Sequence, residues 1–193
     1  LAAQSAAVEV ARASSMGALA DRLVHDADSG EVRDGPRRYL LMRADVFSGA
    51  LALVAPEHRG TVLDAFARSV ALHGADSVGA YLDTLGGDTA ALLATMPSAA
   101  ADLGWGVWRF DPPGSSPGLA LTVTNSPFVQ AFEDQRAKQP VCAPIAGMLS
   151  ALGQACFGVP VRCVESGCVA RDGGHACRFE VVPLTPASPR RTP

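Results

Sequence analysis

One stretch near the C-terminal end constrains this chain more than any other: VESGCVARDGGHACRFEVV, residues 164–182. It reads as a hairpin. VPVRCVE (159–165) alternates as a strand does, CRFEVV (177–182) is its partner, and the Gly173-Gly174 pair turns the chain between them. Glu165 then ends one strand, Cys168 lies three residues on in the turn, and Cys177 starts the return. The hairpin folds all three toward one point. Upstream, PVCAPIAGML puts Cys142 at the start of a helix running to about Phe157, with Ile145, Met148, Leu149 and Leu152 on one face and Gly158 closing it. If that helix packs on the hairpin, Cys142 becomes a fourth donor.

Three thiols and a carboxylate are a donor set that zinc takes up in closed, four-coordinate structural sites. The helix-start position of Cys142 favours its thiolate. Around a divalent ion the set leaves a net charge of about −2, which Arg171 and Arg178 stand near enough in sequence to offset. The competing reading is plain: reduced cysteines are among the most buried residue types, only two of these thiols are close in sequence, and there is no CxxC. Cys163 alternates with Glu165 and shares its strand face, so it competes as a ligand. Cys156, on the helix, reads as core, and His175, inside the ligand loop, as a solvated turn residue.

Composition narrows the field further. The chain has 193 residues and a net charge of −3, with no basic surplus of the kind that tracks nucleic acid. No apolar run approaches the roughly 20 residues of a membrane helix. The Ala-rich start carries Glu9, Arg12, Asp21 and Arg22, so it is neither a signal core nor a span. Five cysteines, an odd number clustered toward one end, fit reduced thiols and hence a cytoplasmic protein.

Taken in order, residues 3–25 have loosely helical apolar spacing, as a surface helix or one that pairs with a partner chain. Residues 26–38, DADSGEVRDGPRR, are expected to be a linker, and RYLLMR (38–43) a short strand. Asp45 is expected to cap a helix through Leu53. Pro56 opens a helix from about 57 to 85, turning Val62, Leu63, Phe66, Val70, Leu72, Val78, Tyr81, Leu82 and Leu85 inward. Gly74 and Gly79 inside it call for close packing or a ligand. Gly86 and Gly87 end it, and Asp88 or Thr89 caps another helix to about 102. GWGVWRF (104–110) and LALTVTN (119–125) read as strands around a long loop, residues 126–140 as mixed and polar, and the Pro- and Ser-rich tail as disordered. Helices early and strands late give an α+β fold, an antiparallel sheet packed against helices.

The run E-S-x-C... DGG-HACRFEV after PVC and a helix resembles the 4-vinyl reductase domain family, also called hydrocarbon-binding domains. RYLLMRAD, LHGADSVGAYL, GWGVWRF and VTNSPF extend the resemblance, in order, over most of residues 38–182. It implies a fold similar to the nitric-oxide-signalling and TRAPP-subunit ligand-binding domains, often dimeric. Sensor members of this kind respond to aromatics and hold a structural zinc, at positions matching Cys142, Glu165, Cys168 and Cys177. The loop between the last two is slightly longer here. The chain then divides into an N-terminal helix and linker (1–37), a ligand-binding domain with the zinc site (38–183) and a tail (184–193).

The resemblance also implies an apolar ligand cavity between helices and sheet, with Trp105, Trp108, Phe110, Phe128, Tyr81, Leu121 and Met148 as its expected lining. The Trp–His pair with which phenol-sensing relatives hold a hydroxyl is not evident from sequence. Three functions follow: a zinc-stabilised module binding a small hydrophobic or aromatic ligand as sensor or carrier; a component of tetrapyrrole (bacteriochlorophyll) biosynthesis; or a dimeric assembly subunit. Against an enzyme, the chain has no dinucleotide fingerprint, P-loop or nucleophile elbow, and nothing that visibly binds a hydride source.

Overall fold

The computed structural model describes residues 18–112, 114, 117–132 and 137–184. Its elements run α1 (Leu19–Arg22), β1 (Val24–Asp26), β2 (Glu31–Asp34), β3 (Arg37–Tyr39), α2 (Ala44–Leu53), α3 (Pro56–Thr84) and α4 (Thr89–Asp102). β4 (Val107–Phe110), β5 (Leu119–Thr124), a 3₁₀ turn (Pro127–Phe132), α5 (Ala143–Phe157), β6 (Val161–Gly167), α6 (Val169–Asp172) and β7 (Ala176–Pro183) follow. Two antiparallel sheets form, a small one ordered β1-β2-β3 and a larger one ordered β4-β5-β7-β6. This is the expected α+β class.

The larger sheet buries one face. Leu121 opposes Phe179, and Val123 opposes Cys177, and these side chains share one hydrophobic core with Ile145, Leu149 and Leu152 of α5. α5 is the central helix, with Ile145, Leu149 and Leu152 inaccessible to solvent. Its other side lies against α3, close enough that a Cβ on Gly147 would come within 2.3 Å of the Ala67 carbonyl oxygen. Only glycine permits that approach. Gly74 of α3 has the reason expected for it, since a Cβ there would meet Met148 Cε at 3.1 Å. Gly79 faces open space. Leu72, expected inward, is exposed, because the buried stripe runs through Leu63, Gly74 and Val78 on the opposite face.

Local chemistry explains most boundaries. Pro56 starts α3, and Asp88 caps α4, its Oδ1 accepting from the backbone N–H of Ala90 at 2.8 Å and of Ala91 at 3.0 Å. Gly158 ends α5 in the left-handed conformation. Asp45 is not the cap of α2. Arg43 holds that position, without a side-chain capping bond, and Asp45 lies in the first turn.

Further expectations need correction. The supposed linker is the small sheet. A two-residue turn at Gly35-Pro36, with Gly35 at positive φ, joins β2 to β3. RYLLMR is strand only as far as Tyr39, and Leu40, Leu41 and Met42 lie exposed beyond it. Residues 126–140 are also less polar in effect than their composition suggests, for the 3₁₀ turn buries Phe128 and Phe132. Of the expected N-terminal helix, only Leu19–Arg22 falls among the described residues and is helical, and β1 follows at once. The tail beyond Leu184 lies outside them.

Candidate metal centre and ligand cavity

The end of β6, the start of α6, β7 and the start of α5 meet at one buried point. Cys142 precedes the first turn of α5. Glu165 sits on β6 just before a bulge, which shifts the register between Glu165 and Gly167 and leads the chain into Cys168, the N-cap of α6. Cys177 faces inward from β7. One donor atom from each of these four residues lies within 4.8 Å of every other, and all four residues are buried. Cys142 Sγ and Cys177 Sγ stand 3.6 Å apart, against the roughly 3.8 Å edge of a tetrahedron with 2.3 Å metal–sulfur bonds. Among the described residues this is the cluster able to hold a metal ion. Cys163 and His175 are not in it. Cys163 is half-buried along β6, and His175 is exposed in the turn.

The polar atoms fit an ion as well. Glu165 Oε2 accepts from the Cys142 backbone N–H at 3.0 Å, while its Oε1 is buried without a hydrogen-bond partner. A buried carboxylate oxygen left so is costly unless a cation or proton meets it. Val169 N–H points at Cys177 Sγ (3.4 Å), and the buried Ser126 hydroxyl is 3.4 Å from Cys142 Sγ. Both are positioned as donors to bound thiolates. Ser126 escaped the sequence reading. Its only signal was the Asn-Ser-Pro turn after a strand, where Asn125 adopts positive φ. Asp172 orders the loop by accepting from Cys168 N–H at 2.9 Å. Arg171 is engaged beside the site with Asp172 (2.6 Å) and the Ser166 carbonyl (3.1 Å), and Arg178 points to solvent.

Without a cation, four acidic groups in one dry space share their protons unequally. Hydrogen bonds from Cys142 and Cys177 hold the Cys168 thiol far below its ordinary value. Cys142 is raised, first by its bond to Cys168 and then by Cys177 and burial, which outweighs the lowering expected from a helix start. Cys177 goes up to about 12; its bond to Cys142 pulls it down, and its bond to Cys168 and burial overcome that. Burial, then the charge on Cys168, pushes the Glu165 carboxyl up to about 8. A divalent cation held by Cys142, Glu165, Cys168 and Cys177 would supply the counter-charge in place of those protons.

Five of the seven expected ligand-lining residues divide among three cavities. One of about 470 Å³ lies between α3, α4 and α5 on one side and the small sheet on the other. Tyr81, Trp105 and Met148 line it together with Val70, His73, Gly74, Val78 and Met96. His73 and Trp105, 32 positions apart in sequence, both line this cavity. Trp105 and Phe128 also line a cavity of about 330 Å³ beside Phe47 and Leu40–Met42. Phe110 lines a third, of about 700 Å³, with Leu93, Pro97, Leu119 and Cys156. Cys156, expected in the core, is half-buried on that wall. Trp108 and Leu121 line none of these three. They are core, and Trp108 Nε1 donates to the Trp105 carbonyl at 3.2 Å.

No family model matches the chain, and no curated protein matches it by sequence. Its fold is similar to that of the phenol-responsive sensory domain of the transcription activator PoxR, solved with phenol. The TM-score is 0.68, with 18% identity over 86% of each chain. It is also similar to a vinyl-4-reductase family protein from Methanocaldococcus jannaschii, with a TM-score of 0.50 and 17% identity over 78% of this chain and 86% of that one. The class these likenesses define is an α+β fold in which an antiparallel sheet packs against helices. The fold therefore matches the resemblance drawn from the sequence motifs.

Proposed function

We propose that the chain is a zinc-stabilised binding module for a small hydrophobic or aromatic ligand, acting as a sensor or carrier. The observation that carries this reading is the separation of its two sites. The four-donor cluster is closed and buried at the junction of α5, β6 and β7, so an ion there stabilises and has no open position for chemistry. The cavity of about 470 Å³ lies elsewhere, apolar at Val70, Val78, Met96 and Met148, with Tyr81, His73 and Trp105 as polar anchors. That volume lies within the range of small-molecule sites, roughly 300–1,000 Å³, and is large enough for a ligand of one or two rings. The likeness to a phenol-responsive domain supports the same ligand class.

Cys142, Glu165, Cys168 and Cys177 would hold the ion, which when bound supplies four bonds tying α5 to the last hairpin. Ser126 and the Val169 amide would orient and partly neutralise the thiolates. A cluster that needs reduced thiols belongs in a reducing compartment, and we place the protein in the cytoplasm on that ground. We also propose a homodimer, for which the exposed Leu40, Leu41 and Met42 offer apolar surface.

Native mass spectrometry of the whole chain, before and after a chelator, tests the core of this reading. One zinc per chain, lost with the chelator and with Cys177→Ala, together with a retained small aromatic mass, is the expected result. A well-folded protein free of both metal and ligand would reduce the four donors to core packing.

A further inference from the structure

We propose that residues 19–39 are a latched cover of the cavity between α3, α4 and α5, and that Tyr81 couples the latch to the cavity's contents. This rests on reading that cavity as the ligand site. Leu19, Arg37 and Tyr39 line the cavity from the cover, while Tyr81, His73 and Met148 line it from the body. The site is incomplete without a segment whose composition reads as a linker.

The attachment of this segment is uneven. α1 is anchored: Leu19 is buried, α1 packs on α4, and the Ala20 backbone N–H donates to Asp102 Oδ2 at 3.1 Å. β1, β2 and β3 pair with one another and pack broadly on no other described element. With charged residues along both faces, such a meander has little apolar area to bury and depends on side-chain ties. Arg37 Nη2 donates to the Asp76 carbonyl at 3.0 Å. Arg22 is the second tie. Its guanidinium donates to Asp34 of β2 (3.3 and 3.1 Å) and to the Tyr81 hydroxyl (2.6 Å), and lies 5.2 Å from the Tyr81 ring centre.

Tyr81 therefore belongs to both structures. Its ring is cavity wall, and its hydroxyl is the acceptor on which Arg22 holds the small sheet. A ligand packed on that ring favours the position in which Arg22 is bonded, and closure of the cover in turn slows ligand escape. The two effects are reciprocal.

Hydrogen–deuterium exchange on the full chain tests the cover directly. In Arg22→Met the amides of residues 24–39 are expected to exchange roughly tenfold faster, the effect of one charge-assisted tie on an opening equilibrium, with α5 and β5–β7 unchanged. Asp34→Asn, at the other end of the tie, gives a smaller change in the same amides. Unaltered exchange in 24–39, or equal acceleration throughout the domain, overturns the proposal. The coupling is read with 2-naphthol, a fluorescent two-ring phenol, by stopped flow. Release from Arg22→Met is expected to be several-fold faster than from the parent, and equal release rates overturn the coupling. A parent that takes up no 2-naphthol would instead sink the ligand reading of the cavity, and exchange alone would then decide the cover.

Discussion

Metal added to the chelator-stripped protein should displace about three protons per ion at pH 7, a number set by the arrangement of the four donors. Cys142 and Cys177 are pushed up, the latter to about 12, and Glu165 to about 8, so all three hold their protons at that pH. Cys168, held low by its two thiol neighbours, has already lost its own. In the unfolded chain the thiols titrate near 9.0 and the carboxyl near 4.5, so folding around the ion also releases three protons, all from thiols. Metal keeps the thiols ionised in the folded state, well below their unfolded values. The stabilisation is thus full above about pH 9 and is lost as pH falls, at up to about 4 kcal/mol per pH unit for three protons. With free metal at about 1,000 times its dissociation constant the ion contributes about 4 kcal/mol, or roughly 8–16 °C in melting temperature for a chain of this size. Calorimetric titration in buffers of different ionisation enthalpy counts the protons, and thermal melts from pH 6 to 8 with and without chelator give the slope. A count of one or none, or melting indifferent to the chelator, would refute the four-donor site.

Other perturbations separate the parts of the molecule. Ser126→Ala removes the hydroxyl beside Cys142 and should weaken metal binding roughly 10- to 100-fold while the metal-saturated fold persists, measured by competition with a chromogenic chelator. Cys163→Ala should leave metal content at the parental value, because that thiol lies outside the cluster; elemental analysis decides it. Gly147→Ala drives a Cβ onto the Ala67 carbonyl, so α3 and α5 must part. A loss of about 1–3 kcal/mol or more is expected in denaturant titration, with weakened ligand binding since the cavity lies beside that contact.

The α+β class, the helices from Pro56 and Asp88, and the approach of Glu165, Cys168 and Cys177 were legible because each rests on local chemistry or on hairpin geometry, whereas Cys142 joined them only on the condition that its helix packs on the hairpin and through the family resemblance. The small sheet was not legible. Its strands carry charges on both faces, so no period-2 apolar signal marks them, and only the Gly35-Pro36 turn hinted at pairing. RYLLMR misled in the opposite direction, since an apolar run reads as buried strand, yet Leu40 is 78% and Leu41 69% exposed. The cavity wall was legible only in part. Tyr81, Trp105 and Met148 were named, but His73 and the contribution of Leu19, Arg37 and Tyr39 depend on how distant elements approach, which periodicity does not encode.

The bulge in β6 has a bearing on solubility. Among the described residues β6 is an outer strand of the larger sheet, paired on one side by β7. Between Glu165 and Gly167 its ladder is interrupted, and the Ser166 carbonyl at the interruption already accepts from Arg171. An incoming strand would find a broken row of acceptors and a guanidinium across it, so the edge that delivers two of the donors to the cluster also resists strand-to-strand aggregation.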